Sequence, residues 1–174
     1  MQAQHISIDH AKSNKLFYVV AMVVPYRKSD GRCLLLKRSG KAAVHPGLFC
    51  VPGGKLEWQD LDLTHPTTIK GDVLNFDQIL ETLARRETKE EANIELQDTF
   101  YCIDNGAFVR PDGIPVVLIV FAGIYLRGEV KPEAGAFTDF TWATPEEARA
   151  LQCIEGTVEL MEKTVHRFSE SPCS

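Results

Sequence analysis

The stretch "RRETKEEANI", Arg85–Ile94, places glutamates where an amphipathic helix should face its core. When each residue turns about 100° around a helix axis, the apolar residues just before this stretch form one stripe. The stripe consists of Ile79, Leu80, Leu83 and Ala84. The same projection puts Glu87, Glu90 and Glu91 on the stripe side, so the helix is predicted to direct three carboxylates inward.

A divalent metal explains this arrangement better than a solvated helix face, which is the alternative. A solvated face places acids opposite the apolar stripe, four residues from a base, as Glu81 and Arg85 are. Glu87 and Glu91 instead form a like-charge pair, and burial would raise their pKa values unless a cation compensates. Mg²⁺ prefers hard oxygen ligands and often bridges carboxylates to a phosphate. The helix therefore predicts a Mg²⁺ site, with Mn²⁺ as a possible substitute.

Composition is that of one soluble globular domain. The chain has 174 residues, 44% of them hydrophobic and 25% charged. We expect a single domain over residues 15–170, between tails at 1–14 and 171–174. The net charge of −5 and the lack of a basic tract predict no bulk nucleic-acid binding.

The five cysteines are scattered and form no CxxC pair, which is typical of buried thiols in a reducing compartment. The N-terminus lacks the basic and apolar regions of a signal peptide, and no apolar run is long enough to span a membrane. The expected location is therefore cytoplasmic, without a membrane partner. A homodimer is left open.

Apolar runs and turn residues predict two hairpins around the acidic helix. "LFYVVAMVVPY" and "CLLLKRS" flank a turn at Asp30-Gly31, and "FYCIDNGAFV" and "IPVVLIVFAGIYL" flank "RPDG". "FTDFTW" is a further strand, Thr144 to Glu147 form a capping box that starts a helix, and a last helix covers about 156–168. Strands on both sides of one central helix predict an α/β sandwich with a mixed sheet.

A glycine pair precedes the acidic helix in "PGGKLE", residues 52–57. Gly53 and Gly54 tolerate positive φ and allow the main chain to approach a ligand closely. Alone the pair indicates a turn. Followed by Arg-Glu-x-x-Glu-Glu on a helix, it predicts a ligand site.

These motifs resemble those of the Nudix hydrolases, whose box begins with a glycine and a glutamate and ends Arg-Glu-U-x-Glu-Glu-x-Gly-U, with U apolar. Residues 86–94, "RETKEEANI", are similar to the second half of that box. "GRCLLLKRS" and "HPGLFCVPGGKLE" resemble the strand and loop that precede it, and the likeness covers most of residues 16–151. The resemblance implies an α/β/α sandwich with a mixed sheet and the catalytic helix between sheet hairpins.

Two positions depart from the family pattern. Asp60 stands where the box has its first glutamate, and a polar insertion of about 60–77 separates it from the helix. Asn75 and Gln78 are spaced as a capping box that would restart the helix. Asn93 replaces the box glycine at the helix end, where the left-handed conformation is needed and Asn is the usual second choice.

The resemblance also implies residue roles in a Mg²⁺-dependent pyrophosphohydrolase. Glu90 and Glu91 would bind the metal, and Glu87 would be a further ligand or the base that deprotonates water. The Gly54 carbonyl would complete the coordination, and Arg86 would orient the glutamates. The substrate would be a nucleoside diphosphate linked to another moiety, and the products a nucleoside monophosphate and a second phosphorylated fragment.

Other roles stay open at this stage. Gly53 is predicted to contact substrate, and Lys37 and Arg38 could meet its phosphates or simply end a strand in solvent. Many Nudix enzymes have an acid outside the box, for which Glu133 and Asp139 are candidates. The competing hypotheses are a non-catalytic nucleotide-sensing or partner-binding module on the same fold and an isomerase of that fold, for which the chain supplies no convincing cysteine and glutamate pair.

Overall fold

The computed structural model describes residues 2–169, which form nine strands and three α-helices. The strands are β1 (Tyr18–Arg27), β2 (Arg32–Arg38), β3 (Phe49–Cys50), β4 (Gly53–Lys55), β5 (Thr68–Lys70), β6 (Val73–Asn75), β7 (Glu95–Val109), β8 (Pro115–Arg127) and β9 (Phe137–Ala143). The helices are α1 (Ile79–Ala92), α2 (Pro145–Ala148) and α3 (Thr157–Ser169), and short 3-10 turns cover Ser13–Lys15 and Trp58–Asp60. The predicted tail at 171–174 lies outside the described residues.

Seven strands make one mixed sheet, as the sequence predicts. Its order is β3-β2-β1-β8-β7, with β4 beside β1 and β9 beside β2. β1 and β8 run parallel over their whole paired length, and every other pairing is antiparallel. β1 therefore lies at the centre of the sheet, with the glycine strand β4 alongside its first half.

Each face of the sheet is covered by a helix. Successive residues of β1 point to opposite faces, so β1 contributes side chains to both core layers. Ala21 and Val23 pack with Leu83 and Ala84 of α1 in one core layer. On the other face, Val24 packs with Met161 of α3 and its neighbours. The fold is thus an α/β/α sandwich, and α1 packs against the sheet through Leu83, Ala84 and Ala92.

The structure confirms most of the boundaries that local sequence signals predict. The Asp30-Gly31 turn joins β1 to β2, with Gly31 at φ 70°, and "RPDG" joins β7 to β8. Thr144 caps α2 with the predicted reciprocal hydrogen bonds to Glu147. Asn93 takes the left-handed conformation at the end of α1, at φ 58°.

The capping box predicted from Asn75 and Gln78 is wrong. Asn75 belongs to β6, and Gln78 caps α1 in a left-handed conformation without a side-chain hydrogen bond. The reason is that residues 68–75 pair with each other as the hairpin β5-β6, so Asn75 is part of a strand rather than a helix cap.

Four cysteines of the described chain, Cys33, Cys50, Cys102 and Cys153, are free thiols, and Cys173 lies outside it. Cys33 and Cys50 are buried, which fits their predicted role as small apolar residues. Within residues 2–169 no helix is both long and apolar enough to cross a membrane.

Candidate functional site

The third and fourth turns of α1 contain the three glutamates, which lie at the edge of the hydrophobic core. Thr88 and Ala92 are buried, and Glu87 and Glu91 are partly buried beside them. Glu90 differs from the prediction because its side chain is about half exposed, at 52%. Two of the three glutamates therefore face inward, and the third lies at the rim.

Arg86 connects the acids to one another. Its Nη2 lies 3.0 Å from Oε1 of Glu87, and its Nη1 donates a hydrogen bond of 3.0 Å to Oε2 of Glu90. Because a guanidinium presents donors in a rigid planar fork, it can hold both carboxylates in fixed directions. The structure thus places Arg86 where it can orient the glutamates.

Asp60 provides a third carboxylate for the same guanidinium, with Oδ1 at 3.2 Å from Arg86 Nη2. Its side chain is only 11% exposed, and its other oxygen accepts a hydrogen bond of 2.8 Å from the Glu57 amide. The 3-10 turn Trp58–Asp60 directs the short side chain towards α1. Asp60, which counting along the sequence places where the box motif expects glutamate, thus lies beside Arg86 of α1 in the structure.

Substitution of Asp60 tests this support. Asp60→Asn keeps the shape but removes the charge that faces Arg86, so we expect turnover to fall about tenfold, the lower end for groups behind metal ligands. Asp60→Glu should retain most of the activity. The rate constant kcat and the metal concentration for half-maximal rate would be measured, with Asp62→Asn as the control because Asp62 bonds only within its own exposed loop. An Asp60→Asn variant as fast as wild type would contradict this role.

The glycine pair is needed for close packing and not for positive φ, which corrects one of the two sequence-based reasons and leaves the other, the close approach of the main chain. Neither glycine lies in the left-handed region. A Cβ on Gly54 would overlap the Glu87 carboxylate, and one on Gly53 would come 2.7 Å from the Ala21 carbonyl oxygen. The Gly53 amide donates a hydrogen bond of 3.0 Å to Oε2 of Glu91. Both glycines thus bring backbone directly against the glutamates.

Burial raises the pKa values of both inward acids. Loss of solvent raises the pKa of Glu91 to about 8, against the opposing effect of the Gly53 hydrogen bond. Burial also raises the pKa of Glu87, although the neighbouring Arg86 opposes this. Two partly buried acids with raised pKa values are typical of a site that receives a cation or a proton.

The donor chemistry suits a hard divalent cation, since Glu87, Glu90, Glu91 and the Gly54 carbonyl all offer oxygen. Within residues 2–169, however, no group of three or more His, Cys, Asp or Glu side chains is arranged to hold an ion. Glu90 bonds to Arg86 instead. Binding would therefore require Glu90 to turn from Arg86 towards Glu87 and Glu91.

Glu133 is the acid outside the box that lies near this cluster. Its amide donates a hydrogen bond of 2.9 Å to the Glu91 carbonyl, which ties the loop between β8 and β9 to the end of α1. Its carboxylate is one of the charges that raise the pKa values of Glu87 and Glu91, after burial. Asp139 lies on β9 opposite Lys37 and has no such link.

Lys37 and Arg38 are adjacent at the end of β2, where the pairing with β9 shifts register. Lys37 Nζ sits 5.6 Å from the centre of the Phe49 ring. Arg38 donates from Nε to the Val44 carbonyl at 2.9 Å, and it lowers the pKa of Glu91 after larger opposing effects. Of the two predicted phosphate contacts, the structure brings only Arg38 near the acidic helix.

A cleft of about 470 Å³ opens between the sheet and the start of α3, and we call it the α3 cleft. Its floor is apolar and its rim carries both charges. Lining residues include Val20, Met22, Arg38, Gly53, Phe108 and Leu118. Gly53 lines the cleft and also bonds to Glu91, so the cleft adjoins the acids. Sequence reasoning missed it because its walls come from segments far apart in the chain.

Comparison with known proteins assigns the family. The model of the NUDIX domain matches residues 17–164, and the chain therefore belongs to the NUDIX family. The family and the fold support hydrolysis of phosphorus anhydrides in general, and members generally use divalent metals such as Mg²⁺. No curated protein sequence matches the chain.

Solved structures share the fold at low sequence identity. The NUDIX domain of Shewanella oneidensis NrtR, complexed with ADP ribose, is 15% identical with a TM-score of 0.67, covering 88% of this chain and 90% of that one. The MutT NUDIX hydrolase from Burkholderia pseudomallei is 22% identical with a TM-score of 0.63, covering 86% and 98%. A C. elegans Ap4A hydrolase complex is 19% identical with a TM-score of 0.60, covering 88% and 99%.

Proposed function

We propose that this protein is a Mg²⁺-dependent pyrophosphohydrolase that cleaves a nucleoside diphosphate linked to another moiety. The observation that carries the proposal is the meeting of Glu87 and Glu91 with the glycine backbone beside a cleft of ligand size. Burial raises the pKa values of Glu87 and Glu91 and so disfavours their charged forms. A bound cation, bridging to a polyphosphate, would stabilise the charged carboxylates.

The residues would divide the work as follows. Glu90, Glu91 and the Gly54 carbonyl would hold the metal, with Glu87 as a further ligand or as the base. When bound, Mg²⁺ polarises a phosphoryl oxygen, lowers the pKa of water and neutralises the leaving group. Arg86 would keep Glu87 aimed by charge-assisted hydrogen bonds.

The chemical step would be hydrolysis of the bond between one phosphorus and the bridging oxygen. Water oxygen bonds to one phosphorus while the bond from that phosphorus to the bridging oxygen breaks. The bridging oxygen leaves with the electron pair as part of the second phosphorylated fragment. A water proton passes to a carboxylate, for which Glu87 is the candidate on α1 and Glu133 the candidate from the β8-β9 loop.

The nucleotide end of the substrate would enter the α3 cleft. Val20, Met22 and Leu118 offer an apolar floor for a ring, and Arg38 stands on the side towards Glu91, where a phosphate would lie. The similar structures that contain ADP ribose or carry the name Ap4A hydrolase agree with a nucleotide-type ligand. Lys37 is a weaker candidate because it packs against Phe49 instead.

The test is a panel of nucleoside triphosphates, ADP-ribose, nucleotide sugars and diadenosine polyphosphates, each with Mg²⁺, Mn²⁺ or EDTA. Release of phosphate and nucleotide would be measured. We expect hydrolysis of at least one compound in the Mg²⁺ arm and none with EDTA.

A binding-only nucleotide module on the same fold is the second candidate. It is favoured by the hydrogen bond from Arg86 to Glu90, because with this bond the acids of the described residues are not arranged to hold an ion. If no compound of the panel is hydrolysed but calorimetry detects nucleotide binding, the binding module is established and the hydrolase is refuted. Metal-dependent turnover that is lost in Glu91→Gln would do the reverse.

A further inference from the structure

One edge of the seven-stranded sheet is open along β7. This strand is last in the sheet order and, within the described residues, pairs only with β8. An edge strand presents a row of unpaired backbone N–H and C=O groups, which another strand can bind. The proposed hydrolysis makes no use of these backbone groups.

The first half of β7 is protected against such pairing. Its ladder with β8 shifts register at three places between Glu95 and Asp104. In addition, the Arg85 guanidinium donates hydrogen bonds to the carbonyls of Gln97, at 3.1 Å, and Asp98, at 2.6 Å. Bulges and charged side chains are usual devices that keep an edge strand from pairing with another chain.

The second half of β7 is residues 105–109, and we call it the β7 edge. Here the ladder with β8 is regular. The sequence "NGAFV" contains no charged residue. All five residues are exposed, with Phe108 at 49% and Val109 at 69%. A regular, uncharged and partly apolar edge of this kind is typical of a strand that pairs in an assembly.

The turn after β7 shows which backbone groups of the β7 edge point outward. The Arg110 amide donates to the Ile114 carbonyl at 3.0 Å, so Arg110 faces the neighbouring strand β8. Because successive residues of an antiparallel strand face alternate neighbours, Val109, Ala107 and Asn105 direct their N–H and C=O groups away from β8. The Asn105 amide agrees with this assignment, since it donates to the preceding carboxylate at 2.9 Å.

We propose that the β7 edge pairs antiparallel with the β7 edge of a second copy of this chain, about a two-fold axis at Ala107. The outward groups of Ala107 in the two copies bond to each other, and Asn105 of each copy pairs with Val109 of the other. The two sheets become continuous, and Phe108 and Val109 lose contact with water. Such a two-fold interface uses the same patch on both copies. This inference goes beyond the proposed function.

Charge complementarity favours a second copy over an unrelated strand. Asp104 and Arg110 lie three residues on either side of Ala107, so each faces the other across the two-fold axis. At this position, between hydrogen-bonded pairs, facing side chains approach most closely. Asp104 already pairs with Lys163, and Arg110 with Asp112, both at 2.7 Å. The new contacts would join these ion pairs into a network across the interface, which stabilises more than isolated surface pairs do.

The expected dimer is weak, because the β7 edge is much smaller than the roughly 20–30 residues per copy of a stable interface. Sedimentation velocity of the wild type, from about 1 to about 500 µM, should therefore show a shift from monomer towards dimer as the concentration rises.

Charges placed at the two-fold axis test the register. Ala107→Lys or Ala107→Glu puts like charges directly opposite each other, so each variant alone should stay monomeric over the same range. An equimolar mixture of the two variants should associate again, because opposite charges then face each other. Thr99→Lys is the matched control, since Thr99 is an exposed residue of β7 outside the β7 edge, and it should dimerise as the wild type does. Circular dichroism and melting would verify that all variants are folded.

Amide hydrogen exchange, measured by NMR, tests the same register at single residues. Higher protein concentration should slow exchange of the outward amides of Ala107 and Val109. It should leave the amides of Gly106 and Phe108 unchanged, because these already bond to β8. In Ala107→Lys, concentration should not affect exchange at Val109.

The other outcomes would overturn the proposal. A wild type that is monomeric at every concentration would exclude the second copy and leave the β7 edge for a strand of another protein. A dimer that persists in Ala107→Lys would mean that a different surface joins the copies. Failure of the mixed variants to associate would reject the axis at Ala107. None of these measurements requires hydrolysis, so this inference and the proposed function can fail separately.

Discussion

Glu91→Gln is expected to lower metal-dependent hydrolysis by more than about 100-fold, since even groups behind metal ligands are worth 10- to 100-fold. The same change should make the metal-free protein more stable at high pH. Glutamine keeps an oxygen that can accept the Gly53 hydrogen bond, and it removes a carboxylate that burial disfavours. Loss of activity with gain of stability distinguishes a binding group from a structural one.

The pH dependence follows from the direction of the shift. The folded pKa of Glu91, about 8, lies above its ordinary value of 4.5, so the folded state binds the proton more tightly. The stability that Glu91 contributes is therefore complete at low pH and is lost as pH rises through about 8. At about pH 9, Glu91→Gln should raise the melting temperature by at least about 3 °C, the usual effect of 1 kcal/mol in a chain of this size. Near about pH 4, the difference should vanish.

The control is Glu81→Gln on the same helix, outside the acidic cluster. It should change neither turnover nor the pH dependence of melting. Calorimetric melting and initial rates would be measured for both variants. Wild-type turnover in Glu91→Gln would remove Glu91 from the site, and an unchanged melting temperature at high pH would mean that its carboxylate is not destabilised in the metal-free fold.

How far the sequence could predict this protein depended on the range of each interaction. Helical periodicity placed Glu87 and Glu91 beside the apolar stripe because both facts belong to one helix. Glu90 could not be placed, because its direction is set by Arg86 at the rim. The turn at Asp30-Gly31 and the cap at Thr144 were predictable for the same local reason.

Long-range contacts were beyond reach of these patterns. Counting along the sequence gives Asp60 the box position of the first glutamate, but its contact with Arg86 depends on a 3-10 turn and on a hairpin that returns the chain to α1. The failed cap at Asn75 has the same origin, since strand pairing across β5-β6 overrides a local helix signal. The α3 cleft combines residues from both halves of the chain, and no local spacing encodes it.

Gly54→Ala should abolish most of the activity with little loss of stability. The added methyl group would overlap the carboxylate of Glu87, the flexible end of a side chain that can move aside. The fold should therefore survive while Glu87 leaves its position beside Arg86. Because a displacement of about 1 Å can cost about 100-fold in rate, we expect kcat to fall by about that factor.

Gly53→Ala provides the contrast. Its methyl group would lie 2.7 Å from the Ala21 carbonyl oxygen and 2.9 Å from the Met22 Cα, both in the backbone of the central strand β1. Backbone within a sheet cannot move aside as a side chain can, so overpacking should cost about 1–3 kcal/mol of folding free energy. Gly106→Ala is the control, because a Cβ there meets nothing within 4 Å. Melting temperature and kcat would be measured for all three variants. If Gly54→Ala kept its rate, or lost stability as Gly53→Ala does, the close approach of this glycine to Glu87 would have no catalytic purpose.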